Sequence, residues 1–467
     1  MEIPRGSARE LSPAKCPPNA GFEALSFGAK YRTKMTEQRR AWLIVGLLFL
    51  FMMLNFSDKA IVGLAGVPMM TEMGLTPRQF GLVGSSFFFL FSISAVIGGF
   101  VANRVQTRWL LLAMAVVWGA TQLPMIGAVG LTTLLACRVT LGAAEGPAYP
   151  VALHSLYKWF PDRLRVLPTA LVAQGAGIGL ALTLPALNWL VVRHSWHWAF
   201  GALGIAGLVW PIAWLLLGAE GKLDQAGPAA APSLAASLQP ARIPYRRLLL
   251  NGTVLAAYFA AFANYWAVSA GLAWGTPFLV KALGYSQAAA GTITGLMHGV
   301  GSIIFIAAAW YSQHLLGKGV ASRTARGIFA GAWLAIGGLC YMAVPYLPTR
   351  EVVIAVFTLG ISLAAVIVVI SQAVVSEFVP VAQRGAVLAI GTAFMTSGGA
   401  LAPYVMGDIV EKAATPVEGF FRGYTIIGAT MLTGGLIAMR FIRPEREVER
   451  VCQNGMRVPL PAPGLAR

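Results

Sequence analysis

An all-α polytopic membrane protein, with twelve transmembrane helices in two six-helix bundles, is the fold class this sequence predicts. Three observations predict it. Of 467 residues, 57% are hydrophobic and only 11% are charged, against about 25% charged in an ordinary soluble domain. Apolar runs of the roughly 20 residues needed to cross hydrocarbon recur along the whole chain. One long polar interruption, 219–247, divides them evenly.

The expected spans are 41–66, 80–103, 108–128, 131–154, 166–191 and 197–218, then 248–273, 288–312, 327–346, 352–376, 385–409 and 423–442. GAVG at 127–130 reads as a tight turn between the third and fourth. The interruption contains QAGPAAAPSLAASLQPARIPYRR, whose Pro and Ala content marks a flexible linker. The expected organisation is therefore an N-terminal tail (1–40), a first bundle (41–218), a linker (219–247), a second bundle (248–443) and a C-terminal tail (444–467). Met35 opens MTEQRRAWLIVG just ahead of the first span and resembles a start, so residues 1–34 are assigned no function. The first 40 residues lack the pattern of a cleaved signal peptide.

Basic residues set the orientation. With the N-terminus inside, the two tails and the loops on their side hold 27 of the 35 Lys and Arg residues. This bias places both termini and the linker in the cytoplasm. The net charge of +17 is thus a topology signal with possible contacts to anionic lipid head groups, and no nucleic-acid partner is expected. The cysteines Cys16, Cys137, Cys340 and Cys452 form no CxxC pair, and the five histidines form no HExxH. Neither a disulfide framework nor a metal site is indicated.

Four ionisable residues interrupt apolar stretches: Asp58 and Lys59 in the first span, Arg138 and Glu145 in the fourth. Charges in a span are expensive and face a bundle interior or a water-filled cavity. Arg138 keeps its charge at any working pH, which suits it to hold an anion. Burial and a nearby cation move a carboxylate's proton affinity in opposite directions, so Asp58 and Glu145 suit proton handling. The competing reading is a set of structural ion pairs. Arg138 and Glu145 are two turns apart on one helix face and pair only if side-chain length or a neighbouring helix closes the gap; Asp58 is the alternative partner for Arg138. Asp58 and Lys59, adjacent in sequence, do not share a face; Lys59 either touches substrate or snorkels toward the interface.

An internal echo points to duplication. KWFPDRLRVLPTAL follows the fourth span and SEFVPVAQRGAVLAI the tenth, and Pro161 and Arg165 have the spacing of Pro380 and Arg384. Duplicated transporters place their substrate site between the repeats. NFSDKA at 55–60, RVTLGAAEGPAYP at 138–150 and the KWFPDR loop resemble motifs of the anion:cation symporter family of the major facilitator superfamily. GGFVANRVQTRWLL resembles that superfamily's loop signature, with Gly99, Arg104 and Arg108 matching, and with Asn103, Gln106 and Thr107 departing from it. Lys59 stands where the family more often has arginine, and lacks its planar fork.

The resemblance, covering about 40–443, implies the major facilitator fold and proton-coupled uptake of a small organic anion, a sugar acid or another carboxylate, by alternating access. It implies a monomer in the bacterial inner membrane, with the proton as coupling ion and no further cofactor. Asp58 and Glu145 would carry protons. Lys59, Arg138, Tyr149 and Gln174 would meet substrate, faced from the second half by Tyr265, Ser269, Ser371, Gln372, Thr392 and Thr396. Asn103, Arg104, Arg108, Arg165 and Arg384 would gate. His154 and His298 are read as packing or gating residues. A transporter or exporter of a neutral, cationic or aromatic compound, and a non-transporting membrane sensor, remain as alternatives. No nucleophile triad or GxxxxGK[ST] loop supports an enzyme or ATP drive.

Overall fold

The computed structural model describes residues 20–102, 104–161, 164–221 and 243–453. Met1–Ile44 and Val45–Arg467 form two compact units, and every contact given below lies within the second. The first half contains α1 (Ala20–Leu64), α2 (Gly66–Met73), α3 (Pro77–Ser86), α4 (Phe88–Ala102), α5 (Thr107–Gln122), α6 (Leu131–Glu145), α7 (Ala148–Tyr157), α8 (Val166–Ala173), α9 (Gly177–Arg193) and α10 (Trp196–Leu217). The second contains α11 (Tyr245–Leu249), α12 (Gly252–Lys281), α13 (Gln287–Gly317), α14 (Phe329–Ala343), α15 (Arg350–Ala364), α16 (Val366–Phe378), α17 (Val381–Lys412), α18 (Pro416–Phe441) and α19 (Pro444–Gln453).

Among the described residues, eleven helices are long and apolar enough to cross a bilayer. The expected fourth span is broken into α6 and α7 at Gly146 and Pro147. Proline lacks an N–H and clashes with the preceding turn. Gly146 also lets the α4 backbone come close, since a Cβ there would lie 2.2 Å from the Phe91 carbonyl oxygen. Large apolar side chains such as Phe100, Leu182, Leu216 and Ile303 are exposed on the outer surface. In water such coverage would be an aggregation hazard; against lipid it is the required surface. The chain is a multi-pass membrane protein of two interacting helical bundles.

The structure extends the internal echo. Arg165 donates from Nε to the Phe160 carbonyl (2.9 Å) and Arg384 from Nη2 to the Val379 carbonyl (3.4 Å). Both arginines thus reach back five residues to the carbonyl just before the shared proline. A second echo lies in GLTPRQFG at 74–81 and GYSQAAAG at 284–291. Gly74 and Gly284 take the left-handed conformation (φ 62° and 71°), which glycine adopts without a Cβ penalty. Two residues on, Thr76 and Ser286 cap the next helix by accepting from the Gln79 and Ala289 N–H groups, which satisfies one orphan donor at each helix start.

The last glycine of each echo sits where the halves meet. A Cβ on Gly81 would lie 2.4 Å from the Pro403 carbonyl oxygen, and one on Gly291 would lie 2.1 Å from Asn188. So α3 meets α17 as α13 meets α9, the symmetry expected of a repeat. Hydrogen bonds reinforce both contacts. Arg78 donates from Nε to the Tyr404 hydroxyl (2.6 Å) and from its N–H to Glu411 (2.8 Å). Asn188 Nδ2 donates to the Gln287 and Ala288 carbonyls, and Gln287 Nε2 donates to the Leu64 carbonyl and to Asn188. These bonds all lie toward the helix ends opposite Leu217 and Gly252, where the two halves are drawn together. A Gly81→Val substitution is expected to push the halves apart there, since overpacking a tight contact costs about 1–3 kcal/mol. Spin-label distances between positions 78 and 411 check it: an unchanged distribution in the variant would mean that the contact does not hold this face closed.

Candidate functional site

The four charges gather into one buried cluster. Asp58, Lys59, Arg138 and Glu145 are 3%, 6%, 4% and 1% exposed. Consecutive residues of a helix point about 100° apart, so Asp58 and Lys59 diverge as expected. Asp58 faces α5, where Gln122 Nε2 donates to its Oδ1 (2.7 Å). Lys59 faces α6 and makes an ion pair with Glu145 Oε2. It also donates to the Asn55 side-chain oxygen and to the Asn55 carbonyl (3.2 Å), and Asn55 Nδ2 donates to the same Glu145 oxygen (2.9 Å). An ammonium has three hydrogens, and all three are thereby taken.

Arg138 and Glu145 do not pair, although they share a face of α6. Gly142 lies between them, and the Phe87 backbone occupies the space above it: a Cβ there would lie 1.7 Å from the Phe87 carbonyl oxygen. The Phe87 ring then sits 4.9 Å from the Arg138 guanidinium and 5.4 Å from Lys59 Nζ. Phe56 and Phe91 complete an aromatic collar around Lys59, at 4.8 and 5.6 Å. Cations over aromatic faces gain about 0.5–2 kcal/mol each. Nor does Arg138 meet the Asp58 carboxylate. Its Nη1 donates to the Asp58 main-chain carbonyl (2.9 Å), and its Nε has no partner. Glu145 Oε1 likewise has none.

Lys59 and Arg138 together border a void of about 10 Å³, closed on its other side by Ser269, Leu272 and Ala273 of α12. That is room for about one water. The cations of the first half therefore face the second half directly.

The remaining expected residues divide. Ser269 borders that void, with its hydroxyl donated to the Tyr265 and Trp266 carbonyls. Tyr265 is half-buried and packs edge-on against Phe88 at 5.8 Å. Thr396 shares a hydrogen bond with Ser92 across the halves. Thr392 donates to the Leu388 carbonyl of its own helix. Gln174 borders a larger cavity, and its Oε1 is unpartnered. Tyr149 lies beyond the α6–α7 break and is 40% exposed; none of the described hydrogen bonds joins it to Glu145. Ser371 is buried and donates to the Ala257 carbonyl, docking α16 on α12, while Gln372 is exposed. Neither borders a described cavity.

Of the expected gating residues, Asn103 lies outside the described residues. Arg104 is exposed beside it. Arg108 donates to the Leu215 carbonyl (2.9 Å) and its main-chain N–H to Glu220 (3.1 Å). Glu220 also takes Lys158 and the Thr107 hydroxyl, a pin between α5, α7 and the end of α10. These hydrogen bonds and the adjacent lysine hold the Glu220 carboxyl below its usual range against the opposing effect of burial. Glu377 of α16 pairs with Arg326, in the helical turn that leads into α14, and accepts from Ser322. Sequence reasoning left Gln122 and the aromatic collar out of the site. Asn55 was within the quoted motif, and its spacing of four from Lys59 was the available signal.

Two bundles closing over a buried, charge-lined cluster define a secondary-active membrane transporter and not an enzyme. Among the described residues, no group of three or more His, Cys, Asp or Glu could hold a metal. The chain belongs to the Major Facilitator Superfamily, whose family model matches residues 47–403. It is 24% identical over 433 residues to a D-galactonate transporter of Escherichia coli O6:H1, covering 88% of this chain and 97% of that protein. It is 27% identical over 414 residues to a hexuronate transporter of Bacillus subtilis, covering 85% and 94%. Among solved structures it resembles the inward-open xylose transporter XylE from E. coli, with a TM-score of 0.68 at 15% identity, covering 88% of this chain and 99% of the other. The chain is thus a multi-pass membrane transporter similar to bacterial sugar-acid transporters.

Proposed function

We propose that this protein carries a small organic anion across the inner membrane together with protons, by alternating access, with the helix ends at Leu217 and Gly252 in the cytoplasm. The observation that carries this reading is the pair of cations bordering the void between the halves, one of them under-satisfied. Arg138 has an unpartnered Nε, and a buried guanidinium with spare donors attracts a carboxylate. Lys59 is different, because Glu145 and Asn55 already take its three hydrogens.

That saturation supplies a coupling mechanism. An incoming carboxylate competes with Glu145 for Lys59. With all four groups ionised, the cluster carries no net charge. Adding an anion leaves one negative charge in excess, and a proton on Glu145 removes it. Protonated Glu145 releases Lys59 to the anion, so each ligand favours the other by mutual linkage. Asp58, held by Gln122 and backed by the Arg138–carbonyl bond, is the second carboxylate that senses the guanidinium. The closed contact at the helix ends opposite Leu217 and Gly252 fits the inward-facing half of the cycle.

The relatives' sugar-acid substrates support an anion as cargo. The test is uptake into proteoliposomes after a pH jump, over a panel of carboxylates, neutral sugars and organic cations. Carboxylates alone are expected to accumulate when the outside is acid. Accumulation confined to a neutral or cationic compound would reject this reading.

A further inference from the structure

Resting on that reading, we infer that the anion carries an apolar, ring-sized body and is not a polyhydroxylated acid. The chain contains a cavity of about 280 Å³ next to the charged cluster, bordered by the α8–α9 junction, α12, α13, α14 and α15. An apolar cavity of about 150 Å³ accepts benzene, so this one has room for a ring with substituents. Its wall is aromatic and aliphatic, with Phe278, Met297, Phe305 and Phe357 among the contacts.

The cavity and the cations are neighbours. Leu272 borders both the cavity and the water-sized void beside Lys59 and Arg138. Phe56 borders the cavity, and its ring lies 4.8 Å from Lys59 Nζ. A molecule with its carboxylate on the cations would extend past these two side chains into the apolar space.

The cavity is poor in hydrogen bonds. Thr294, Ser302 and Ser362 border it, but each donates its hydroxyl hydrogen to the carbonyl four residues back, at 2.8, 2.9 and 2.5 Å. The other polar groups on the wall are the Tyr341 hydroxyl, the Gln174 side-chain amide and the His298 ring, with the Tyr341 hydroxyl and Gln174 Oε1 unpartnered. A sugar acid brings a hydroxyl on nearly every carbon. Each one buried without a partner costs about 1–3 kcal/mol, and a wall that is mostly aromatic and aliphatic, with these few polar groups, cannot serve them all. A ring bearing one polar substituent matches what is present.

Glycines make the space. Gly271 and Gly275 of α12 are one turn apart and border the cavity, and a Cβ on either would meet nothing within 4 Å. A side chain placed there fills the cavity without striking backbone.

The test compares benzoate and phenylacetate with D-galactonate, at a pH where all are ionised, by thermal stabilisation and mutual competition on the purified full-length protein. The aromatic acids are expected to half-saturate at concentrations at least ten-fold lower. Gly271→Leu is expected to weaken them ten-fold or more, and Arg138→Gln to abolish their effect. If D-galactonate wins and depends on Arg138, the anion site stands and the apolar-body inference falls. If neither acid binds, or if benzoate binds equally well to Arg138→Gln, the carboxylate anchor itself is wrong. The wild-type comparison decides even if Gly271→Leu does not fold.

Discussion

Replacing Arg138 with glutamine is expected to abolish anion binding and uptake. Truncating one partner of a buried, hydrogen-bonded charge pair costs about 2–5 kcal/mol, which is about 30- to 4,000-fold in affinity. The effect has two sources. The carboxylate loses its fixed counter-charge, and the cluster of Asp58, Lys59 and Glu145 becomes net negative before any anion arrives. Arg138→Lys separates them, because it restores the charge without the planar fork. It should recover part of the affinity while remaining about ten-fold weaker than the parent. Isothermal titration of folded, monodisperse protein is the measurement. Parent-like affinity in Arg138→Gln would end the assignment of this residue as the anchor.

Glu145→Gln is expected to separate anion movement from proton movement. A glutamine has the shape of the protonated acid and cannot hold Lys59 by charge. Anion binding should therefore persist, and counterflow between equal concentrations on both sides should continue. Accumulation driven by a pH gradient should disappear. The pH dependence follows with a definite sign. In the parent, protonating Glu145 frees Lys59, so anion affinity rises as pH falls through the titration of Glu145. In the variant that dependence should be flat. A variant that still concentrates anion against a gradient in response to acid outside would transfer the proton role to Asp58 or elsewhere.

The helices and the charged residues were legible because both depend on local composition. Apolar runs of span length mark themselves, and a charge inside one has few places to go. The pairing within the cluster was not legible. Whether Glu145 takes Arg138 or Lys59 depends on Phe87 lying over Gly142, a contact between helices more than fifty residues apart in sequence. Gln122 was missed because one glutamine in an apolar span has no spacing to mark it. In the second half, Ser371 and Gln372 looked like ligands by residue type alone, but the orientation of α16 gives one to the α12 backbone and exposes the other. The cavity was hardest to read, because Gly271 and Gly275 create it by what they lack. The break at Gly146 and Pro147, by contrast, was written in the residues, and reading the segment as one span overrode it.

The full coordination of Lys59 bears on leakage. On the proposed mechanism, a proton that reaches Glu145 while no anion is present strips the lysine of its counter-ion and leaves a bare ammonium inside the protein. Uncompensated buried charge costs several kcal/mol, so the singly loaded carrier is a rare species and seldom turns over. The empty carrier, whose cluster has no net charge and keeps Lys59 paired with Glu145, resets without that penalty. Idle transport cycles would then dissipate little of the proton gradient. The aromatic collar around Lys59, and Asn55, which bonds both Lys59 and Glu145, would set how small that slippage is.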